Sequence, residues 1–546
     1  MRIGIDLGTT NSVVACYREN ITPDGQSTGK RFEIIPNGSL QTTPSYITFT
    51  PDGDVLFGQL SKKKQFSMTA NTIFEVKRMI GHRFSGKEVQ ENIRRGDNGA
   101  PSRWPFKVQS DGTNDDKPVI CVLVNGEEKK YSPEKVSAFL LGHLKKTAEA
   151  YLHSTVSEVT ITVPAYFNDA QRQATLDAGY IAGFERIDLL NEPTAAALAY
   201  KQKDSSSIGQ RLLVFDFGGG TLDVSIADIR KEDITVVATG GDCYLGGADL
   251  DRVLVQYCLE KFCNEKGIDF DDLKGVTSRN MSTLRQEAES AKIDLSTARH
   301  AEVIVSSFLF DHDLELTLTR TELESECDFL FQKCIATIDE ILDAAGLSED
   351  SIDVVLTVGG SSLIPRIKQL VNDKFPGKVR MTVQPDHAIA YGACVGHLHV
   401  LNDVTSHSMG IEVGTIPPYR MDVVIPRFSR VPCQVSKPYV TKDDYQTSVL
   451  IRILEGEKPL SDDNHELGRF TLKDLPSLPA GQAAVGVTFA ITKNGILTVS
   501  ALDESNIHNS KAIVVESSKG RLTNEQKRVQ KIEVSEVFRS LSERRN

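Results

Sequence analysis

The sequence of 546 residues has little of what marks membrane proteins or exported proteins. No apolar run approaches the roughly 20 residues that a transmembrane helix needs. No basic segment followed by an apolar stretch opens the chain, and Met1 to Asp6 already predict a buried strand. We therefore expect no membrane anchor and no targeting segment, and the predicted location is the cytoplasm.

The cysteines of the sequence form no recognisable pattern, and its basic residues are fewer than its acidic ones. The nine cysteines are scattered, without a C-x-x-C pair or a Cys/His metal spacing, which predicts reduced thiols instead of a disulfide framework. The 62 Lys and Arg residues are outnumbered by 74 Asp and Glu residues, for a formal net charge of -12. Acidic chains bind polyanions poorly, so we expect neither nucleic acid nor membrane as a main partner.

What is present indicates a multidomain globular protein. The length predicts three to five domains or subdomains at roughly 100–200 residues each. Up to residue 396, buried strand-like runs alternate with helical patterns, which is typical of an α/β fold. From 409 to 518, short alternating runs separated by Pro, Gly, Asn and Asp predict an antiparallel β domain. The apolar stretch 397–408 lies between the two regions.

Helical periodicity is clear in several stretches of the chain. The spacing of apolar residues predicts helices over Pro133–Leu152, Asp169–Ala182, Leu284–Leu295 and Thr321–Ala345. Near the C-terminus, Thr523 with Gln526 fits a capping box, and a charged helix follows. In the β region, Lys493-Asn494-Gly495 predicts a hairpin turn between two strands.

Two glycine turns carry the first chemical signal. Strand Ile3–Asp6 leads into Gly8-Thr9-Thr10-Asn11, and a second apolar strand ending at Asp216 leads into Gly218-Gly219-Gly220-Thr221. Glycine lets backbone N–H groups approach a phosphate, Thr hydroxyls can donate to phosphate oxygens, and the two aspartates can hold a hydrated divalent cation. One such turn alone is equally compatible with a tight hairpin. Two matching copies indicate a duplicated fold with two lobes around one nucleotide.

Other phosphate-binding patterns are missing. The chain has no G-x-x-x-x-G-K-[ST] loop, and no G-x-G-x-x-G joins a strand to a helix, which argues against P-loop and Rossmann folds. A third glycine turn, Gly359-Gly360-Ser361, follows another buried strand and is predicted at the nucleoside end.

With these motifs the chain closely resembles the 70-kDa heat-shock chaperone family of the actin and sugar-kinase superfamily, as a lid-truncated or divergent member. The resemblance rests on IGIDLGTTNS, VKRMIG, VTITVPAYFNDAQRQAT, LLNEPTAAALAY, VFDFGGGTLDVSI, LGGADLD, VGGSSLIPRI, PDHAIAYGA and NGILTVSALD. It implies an actin-like, ribonuclease H-like duplicated ATPase domain, an antiparallel β-sandwich that binds peptides, and a short C-terminal helix. The implied division is nucleotide-binding domain 1–396, linker 397–408, β-sandwich 409–518 and residual lid helix 519–546.

The resemblance assigns roles to the motif residues. It implies an ATPase that uses ATP/ADP, Mg²⁺ and K⁺ to control the binding of unfolded polypeptides. The implied catalytic residues are Lys77, Glu192, Asp216, Thr221 and Asp6. The implied metal-holding residues, mostly acting through water, are Asp6, Asp216, Asp223 and Glu192. The implied nucleotide contacts are Gly8, Thr9, Thr10, Asn11, Gly218, Gly219, Gly220, Gly246, Gly247, Glu289, Lys292, Ser296, Gly359, Gly360, Ser361 and Asp386.

Further roles concern the peptide and the coupling between domains. The implied peptide-binding residues are Ile411, Tyr439, Val449 and Ile451, and the implied coupling residues are Pro164 and Asp188. A J-domain cochaperone and a nucleotide exchange factor are the implied partners. Without the resemblance, the four peptide-binding residues would be interpreted as ordinary β core, Lys77 as a surface charge and Glu192 as a helix N-cap. The set of Glu289, Lys292 and Ser296 would be interpreted as an exposed helix face.

Departures from the family pattern qualify these roles. Asp188 stands where the family usually has the arginine that recruits the J-domain, which should weaken that pairing. The linker is shortened, the 413–420 loop lacks the usual Gly-Gly arch, and most of the helical lid is not represented. Ile293 and Leu363 replace arginines that some members stack on adenine.

Two other functions compete with a coupled chaperone. A nucleotide-binding regulator or exchange-factor-like relative with weak or absent ATPase coupling is the alternative, although the intact set around Lys77 and Glu192 argues against it. A sugar kinase or filament-forming actin relative would share the nucleotide fold but not the β domain.

Overall fold

The computed structural model describes residues 1–21, 27–93, 102–113, 116–381, 384–506, 508–514 and 522–543. Up to residue 204 the strands are β1 (Arg2–Asp6), β2 (Asn11–Ile21), β3 (Ser27–Ile34), β4 (Thr43–Pro44), β5 (Ile47–Phe49), β6 (Val55–Phe57), β7 (Thr72–Ile73), β8 (Lys107–Ser110), β9 (Pro118–Val124), β10 (Glu127–Tyr131), β11 (Glu158–Val163) and β12 (Arg186–Asn191). The helices there are α1 (Gly58–Lys64), α2 (Lys87–Ile93), α3 (Pro133–Leu152), α4 (Asp169–Ile181) and α5 (Glu192–Lys203).

A second set of elements follows up to residue 404. Its strands are β13 (Arg211–Phe217), β14 (Leu222–Ile229), β15 (Asp233–Asp242), β16 (His300–Leu309), β17 (His312–Thr319), β18 (Val354–Val358), β19 (Val379–Arg380) and β20 (Val400–Val404). Its helices are α6 (Gly247–Lys266), α7 (Ser278–Asp294), α8 (Arg320–Glu326), α9 (Asp328–Ala344), α10 (Pro365–Lys374) and α11 (Ala388–Val395).

The remaining elements form the β region and the last helix. They are β21 (Met409–Val413), β22 (Arg420–Ile425), β23 (Arg430–Val431), β24 (Cys433–Val440), β25 (Val449–Glu455), β26 (His465–Leu472), β27 (Ala484–Ile491), β28 (Leu497–Asp503), β29 (Ser510–Val514) and α12 (Asn524–Glu543). The boundary predicted between residues 518 and 519 lies outside the described residues.

The two large sheets of the first 404 residues repeat one topology. The first has the order β12-β11-β1-β2-β3 and the second the order β19-β18-β13-β14-β15. In each, the central strand pairs in parallel with one neighbour and antiparallel with the other, as β1 does with β11 and β2, and β13 with β18 and β14. The duplicated α/β fold predicted from the glycine turns is therefore confirmed. We call this part the nucleotide module (residues 1–404).

Helices α5 and α11 lie between the two sheets. Both are almost fully buried, and their backbones approach so closely that a Cβ on Gly392 would lie 1.8 Å from the carbonyl oxygen of Ala195. Only glycine fits there. This close crossing fixes the two lobes against each other, and with them the two glycine turns.

The β region is a sandwich of two antiparallel sheets, as predicted. One sheet has the order β22-β21-β25-β26 and the other β24-β27-β28-β29. Their alternating apolar residues meet in a core that includes Ile453, Phe489 and Val499. We call residues 409–514 the β module.

Several helix boundaries differ from the prediction. The helix predicted over Thr321–Ala345 is two helices, α8 and α9, separated at Cys327, whose backbone leaves helical geometry. Helix α7 begins at Ser278, before the predicted start at Leu284, because the Thr277 hydroxyl caps it. Pro133–Leu152 is confirmed, with a Ser132 cap. Within the described residues, no helix is both long and apolar enough to cross a membrane.

Candidate functional site

The two glycine turns face each other in direct contact. A Cβ on Gly219 would lie 2.2 Å from the Thr10 hydroxyl oxygen, and one on Gly220 would lie 2.4 Å from that of Thr9. The second turn is closed by a hydrogen bond from the Gly218 N–H to the Thr221 carbonyl at 3.0 Å. Side chains at these glycines would therefore separate the turns.

A cavity of about 530 Å³ opens beside the turns, between the two lobes. Most of the predicted nucleotide and catalytic residues line it, and these are Asp6, Gly8, Thr9, Thr10, Asn11, Lys77, Glu192, Asp216, Gly218, Gly219, Gly220, Thr221, Gly247, Glu289, Lys292, Ser296, Gly359, Gly360, Ser361 and Asp386. Gly246 lies just behind, where a Cβ would meet the Gly220 nitrogen at 2.5 Å. Asp223 lies opposite Asp216 in the β13–β14 pair. The structure thus collects residues from seven of the quoted motifs around one space.

The predicted nucleoside side of the cavity is crossed by ion pairs. Lys62 on α1 contacts Glu289 on α7 at 2.7 Å, and Lys292 contacts Asp251 on α6 at 2.6 Å. Lys292 also donates to the Gly247 carbonyl at 3.0 Å. The Lys62–Glu289 pair therefore links the two lobes, while Lys292 links α7 to α6 within one lobe.

Two apolar side chains line the predicted nucleoside side of the cavity. Ile293 is 59% exposed, Leu363 is half-buried, and both line the cavity. An apolar pair offers a nucleobase dispersion contacts without the cation–π attraction that arginine supplies.

The cavity also contains residues that the sequence analysis missed. Thr42, Asp251 and Lys368 line it, and burial raises the pKa of Asp251 to about 6 against the opposing effect of Lys292. Asp251 ends the Leu-Gly-Gly-Ala-Asp-Leu-Asp motif and lies one helical turn after Gly247, so helical spacing could have identified it. Thr42 and Lys368 carry no comparable sequence signal.

Beside the cavity lie one lysine and four carboxyl groups, of which Asp6 is half-buried and the others buried, and we call them the cleft cluster (Asp6, Lys77, Glu192, Asp216 and Asp223). Lys77 forms an ion pair with Glu192 at 2.5 Å, and Thr162 donates to Asp6 at 3.2 Å. Burial and the neighbouring Glu192 raise the pKa of Asp6 to about 7 and that of Asp223 to about 7, and raise the pKa of Asp216 well above its usual range. Burial lowers the pKa of Lys77, but Glu192 and Asp6 outweigh it and the net shift is upward.

The charges of the cleft cluster do not balance, and one acceptor is unused. Asp223 accepts from the Ala165 N–H through Oδ1 at 2.7 Å, while its fully buried Oδ2 has no hydrogen-bond partner. Carboxylate oxygens suit Mg²⁺, which keeps several of its waters. Within the described ranges, no three acidic, His or Cys side chains converge to ligate one ion directly. The residues fit a cation held largely through water.

A second buried set of charges adjoins the same glycine turn, and we call it the bridging cluster (Glu75, Arg78, Arg103 and Asp249). Arg78 contacts Asp249 at 2.5 Å and donates to the Gly220 carbonyl at 2.8 Å. Arg103 contacts Glu75 at 2.5 Å and Asp249 at 2.8 Å. Burial would raise the pKa values of Asp249 and Glu75, but the two arginines outweigh it and lower both.

The predicted coupling residues lie between the cleft and the β module. Pro164 is buried directly after β11, next to Ala165, which binds Asp223 on one side and accepts from Arg172 on the other at 3.1 Å. Asp188 on β12 contacts Arg2 and Lys493. The predicted linker contains β20, which pairs in parallel with β15, and its Asp403 accepts from Asn191 at 2.8 Å.

The four predicted peptide residues share the core of the β module. Ile411 and Ile451 are buried, while Tyr439 and Val449 are half-buried and pack against that core. Tyr439 also donates to Asp422 at 2.7 Å. Val449 and Ile451 lie on one face of β25, as alternation requires, and both pack in the core of the β module.

Comparison with known proteins bears on the whole chain. The family model described as Hsp70 protein matches residues 2–543. The chain is 39% identical over 538 residues to "Heat shock cognate 70 kDa protein 3" of Dictyostelium discoideum, covering 95% of this chain and 81% of that protein. It is 38% identical over 539 residues to "Heat shock 70 kDa protein" of Neurospora crassa, covering 96% of this chain and 79% of that protein.

Proposed function

This chain belongs to the Hsp70 family and is an ATP-dependent chaperone of unfolded polypeptides, and we propose that it hydrolyses ATP in the cleft between its two lobes. The coupled chaperone is thereby favoured over the regulator and over the kinase or actin relative. The observation that carries the proposal is the cleft cluster beneath two touching glycine turns. The cluster and the turns together bring backbone donors, hydroxyls, carboxylates and Lys77 to a single cavity.

Each part has a distinct role in phosphoryl transfer, which depends on positioning and charge neutralisation. The backbone N–H groups of the two turns, with Thr10 and Thr221, bind the phosphates. Lys77, held by Glu192, orients the attacking water and faces the terminal phosphate. The carboxylates of Asp6, Asp216 and Asp223 hold Mg²⁺ and K⁺, mostly through water. A metal ion held by these carboxylates would supply charge neutralisation at the phosphate oxygens.

We further propose that hydrolysis controls peptide affinity in the β module, at Ile411, Tyr439, Val449 and Ile451. The functional division follows residues 1–396, 397–408, 409–518 and 519–546. Its support is the chain of contacts from Asp223 through Ala165 to Arg172, next to Pro164, which ends at the β module where Gly495 lies against Arg172.

We propose a cytoplasmic location and two kinds of cochaperone, a J-domain protein and a nucleotide exchange factor. The nine free cysteines, most of them buried, suit a reducing compartment. The J-domain protein cannot use the usual arginine, because Asp188 replaces it and both of its carboxylate oxygens already contact cations.

The test is the steady-state ATPase rate of the full chain, with and without an apolar peptide and a panel of J-domain proteins. We expect peptide to accelerate hydrolysis, and Lys77→Ala to reduce the rate by about 100-fold or more, as losing a positioned catalytic group does. Nucleotide binding should persist in this variant, because the glycine turns are intact.

Lys274→Ala is the matched control, since Lys274 is an exposed lysine that forms an ion pair with the exposed Asp271. Its rate should equal that of the wild type. An ATPase rate that Lys77→Ala leaves unchanged would exclude the proposed site. Hydrolysis that no peptide and no J-domain protein stimulates would exclude coupling.

A further inference from the structure

The hairpin turn at residues 493–495 inserts against the edge of the nucleotide module. Two hydrogen bonds fix it there: the Leu189 N–H donates to the Asn494 side chain at 3.2 Å, and the Leu497 N–H donates to the Asp169 carboxylate at 2.7 Å. Gly495 has a left-handed backbone with φ of 78° and lies against the Arg172 side chain. The turn thus reaches both β12 and α4 of the nucleotide module.

Asp188 lies beside this turn and is held from both sides. One carboxylate oxygen accepts from the Arg2 guanidinium on β1, within the nucleotide module. The other contacts the Lys493 ammonium of the β module at 2.7 Å. The Asp188 side chain is 20% exposed while that of Lys493 is 70% exposed. Asp188 is therefore a preformed acceptor, and Lys493 is the cation that the β module brings to it.

The neighbouring arginines leave the second carboxylate oxygen of Asp188 available to a cation of the β module. Arg2 is shared between Asp188 and Glu158, and Arg186 contacts Glu158 as well, so both arginines are already engaged inside the nucleotide module. The hydrogen bonds made by Asn494 and Leu497 would form whatever the charge of residue 493. The Lys493 contact is the part of the hairpin interface that depends on salt and on charge sign.

We propose that Asp188 and Lys493 form an electrostatic latch that selectively stabilises the arrangement in which the β module lies against the nucleotide module. The ion pair exists only when the hairpin is inserted, so its free energy adds entirely to that arrangement. The latch is independent of hydrolysis: it acts on domain association, whatever the chemistry in the cleft.

The test measures hydrogen exchange at the Leu189 and Leu497 amides of the full chain, with and without ATP. These amides donate across the interface, so their exchange reports its opening. In the condition that protects them in the wild type, we expect Lys493→Ala to accelerate exchange about two- to fivefold, the range of partly exposed ion pairs. Lys493→Arg should preserve protection and Lys493→Glu should lose more of it.

A double-mutant cycle separates a specific pair from general damage. Asp188→Asn with Lys493→Ala should exchange no faster than Asp188→Asn alone, and the acceleration of exchange by NaCl should be smaller in Lys493→Ala than in the wild type. Lys458→Ala, at an exposed lysine elsewhere on the β module, is the control and should match the wild type. Additive effects, Lys493→Ala behaving like the control, or unprotected amides in both conditions would overturn the latch.

Discussion

The cleft cluster and the bridging cluster are both largely buried and lie beside the same glycine turn, yet their charges are arranged in opposite ways. The bridging cluster pairs two carboxylates with two arginines, and its acids have lowered pKa values. The cleft cluster sets four carboxyl groups against one lysine, and three of its acids have raised pKa values. Lys77 and Arg78 are neighbours in the chain, and each enters a different cluster.

The difference separates a structural role from a ligand-binding role. A buried ion network that neutralises itself holds its elements together without outside help. A buried group of acids in excess is costly until a proton or a cation neutralises it. The imbalance in the cleft is therefore the physical reason to expect a metal ion there, and the balance of the bridging cluster is the reason to expect none.

The largest expected change in the free energy of unfolding comes from removing one positive charge from the bridging cluster. Arg78→Ala leaves Asp249 buried with Arg103 alone, and we expect the free energy of unfolding of the nucleotide module to fall by about 3–5 kcal/mol. Chemical denaturation measures it. Arg186→Ala, which removes an arginine that is 68% exposed and 3.6 Å from Glu158, is the control and should cost less than about 1 kcal/mol. Equal losses in the two variants would contradict the structural role.

Reducing the excess of carboxyl groups in the cleft cluster should raise the free energy of unfolding. Asp223→Asn removes one carboxylate but keeps an oxygen for the Ala165 N–H. In metal-free buffer at pH 8 we expect it to stabilise the protein by about 1–3 kcal/mol, since one pKa unit corresponds to about 1.4 kcal/mol. Thermal unfolding in the presence of a chelator measures it. A destabilised variant would mean that Asp223 is satisfied without a cation, and ATPase activity should fall in any case.

The smallest expected effect is the stabilisation by Mg²⁺, which should depend on pH. Because the pKa values of Asp6 and Asp223 are raised to about 7, the unliganded protein loses stability as the pH rises from about 4 towards 7, where these buried acids ionise. Mg²⁺ should reverse this, with a stabilisation of about 1.4 kcal/mol at tenfold excess over its Kd. The gain should be larger at pH 8 than at pH 6. A gain that is independent of pH, or unchanged in Asp223→Asn, would place the ion elsewhere.

Local patterns predicted much of this molecule. The glycine turns, the duplicated sheets and the hairpin at Asn494 follow from short motifs whose geometry depends on nearby residues. The capping pair of Thr523 with Gln526 also forms as its spacing indicates. For the same reason, most of the residues around the cavity could be named before their positions were known.

Contacts between distant segments could not be predicted in this way. The bridging cluster draws residues from three separate segments, and no spacing encodes its pairing. The break between α8 and α9 is hidden because Cys327 is buried in the same core as its helical neighbours, so the apolar period continues through it. The ion pair of Asp188 with Lys493 could not be predicted either, since Lys493 lies 305 residues away in the chain.

The segments that precede and follow the β module both pack against the nucleotide module. Before it, β20 pairs with β15; after it, α12 packs against α3 and α4, where Lys527 contacts Asp177 at 2.7 Å and Phe538 lies against Gly142. Because β20 and α12 hold the β module beside the nucleotide module, the hairpin at residues 493–495 contacts β12 and α4 at a high effective concentration. That concentration is set by chain length and not by protein concentration. Releasing α12 alone should therefore weaken every other contact of the β module with the nucleotide module, without altering one of them.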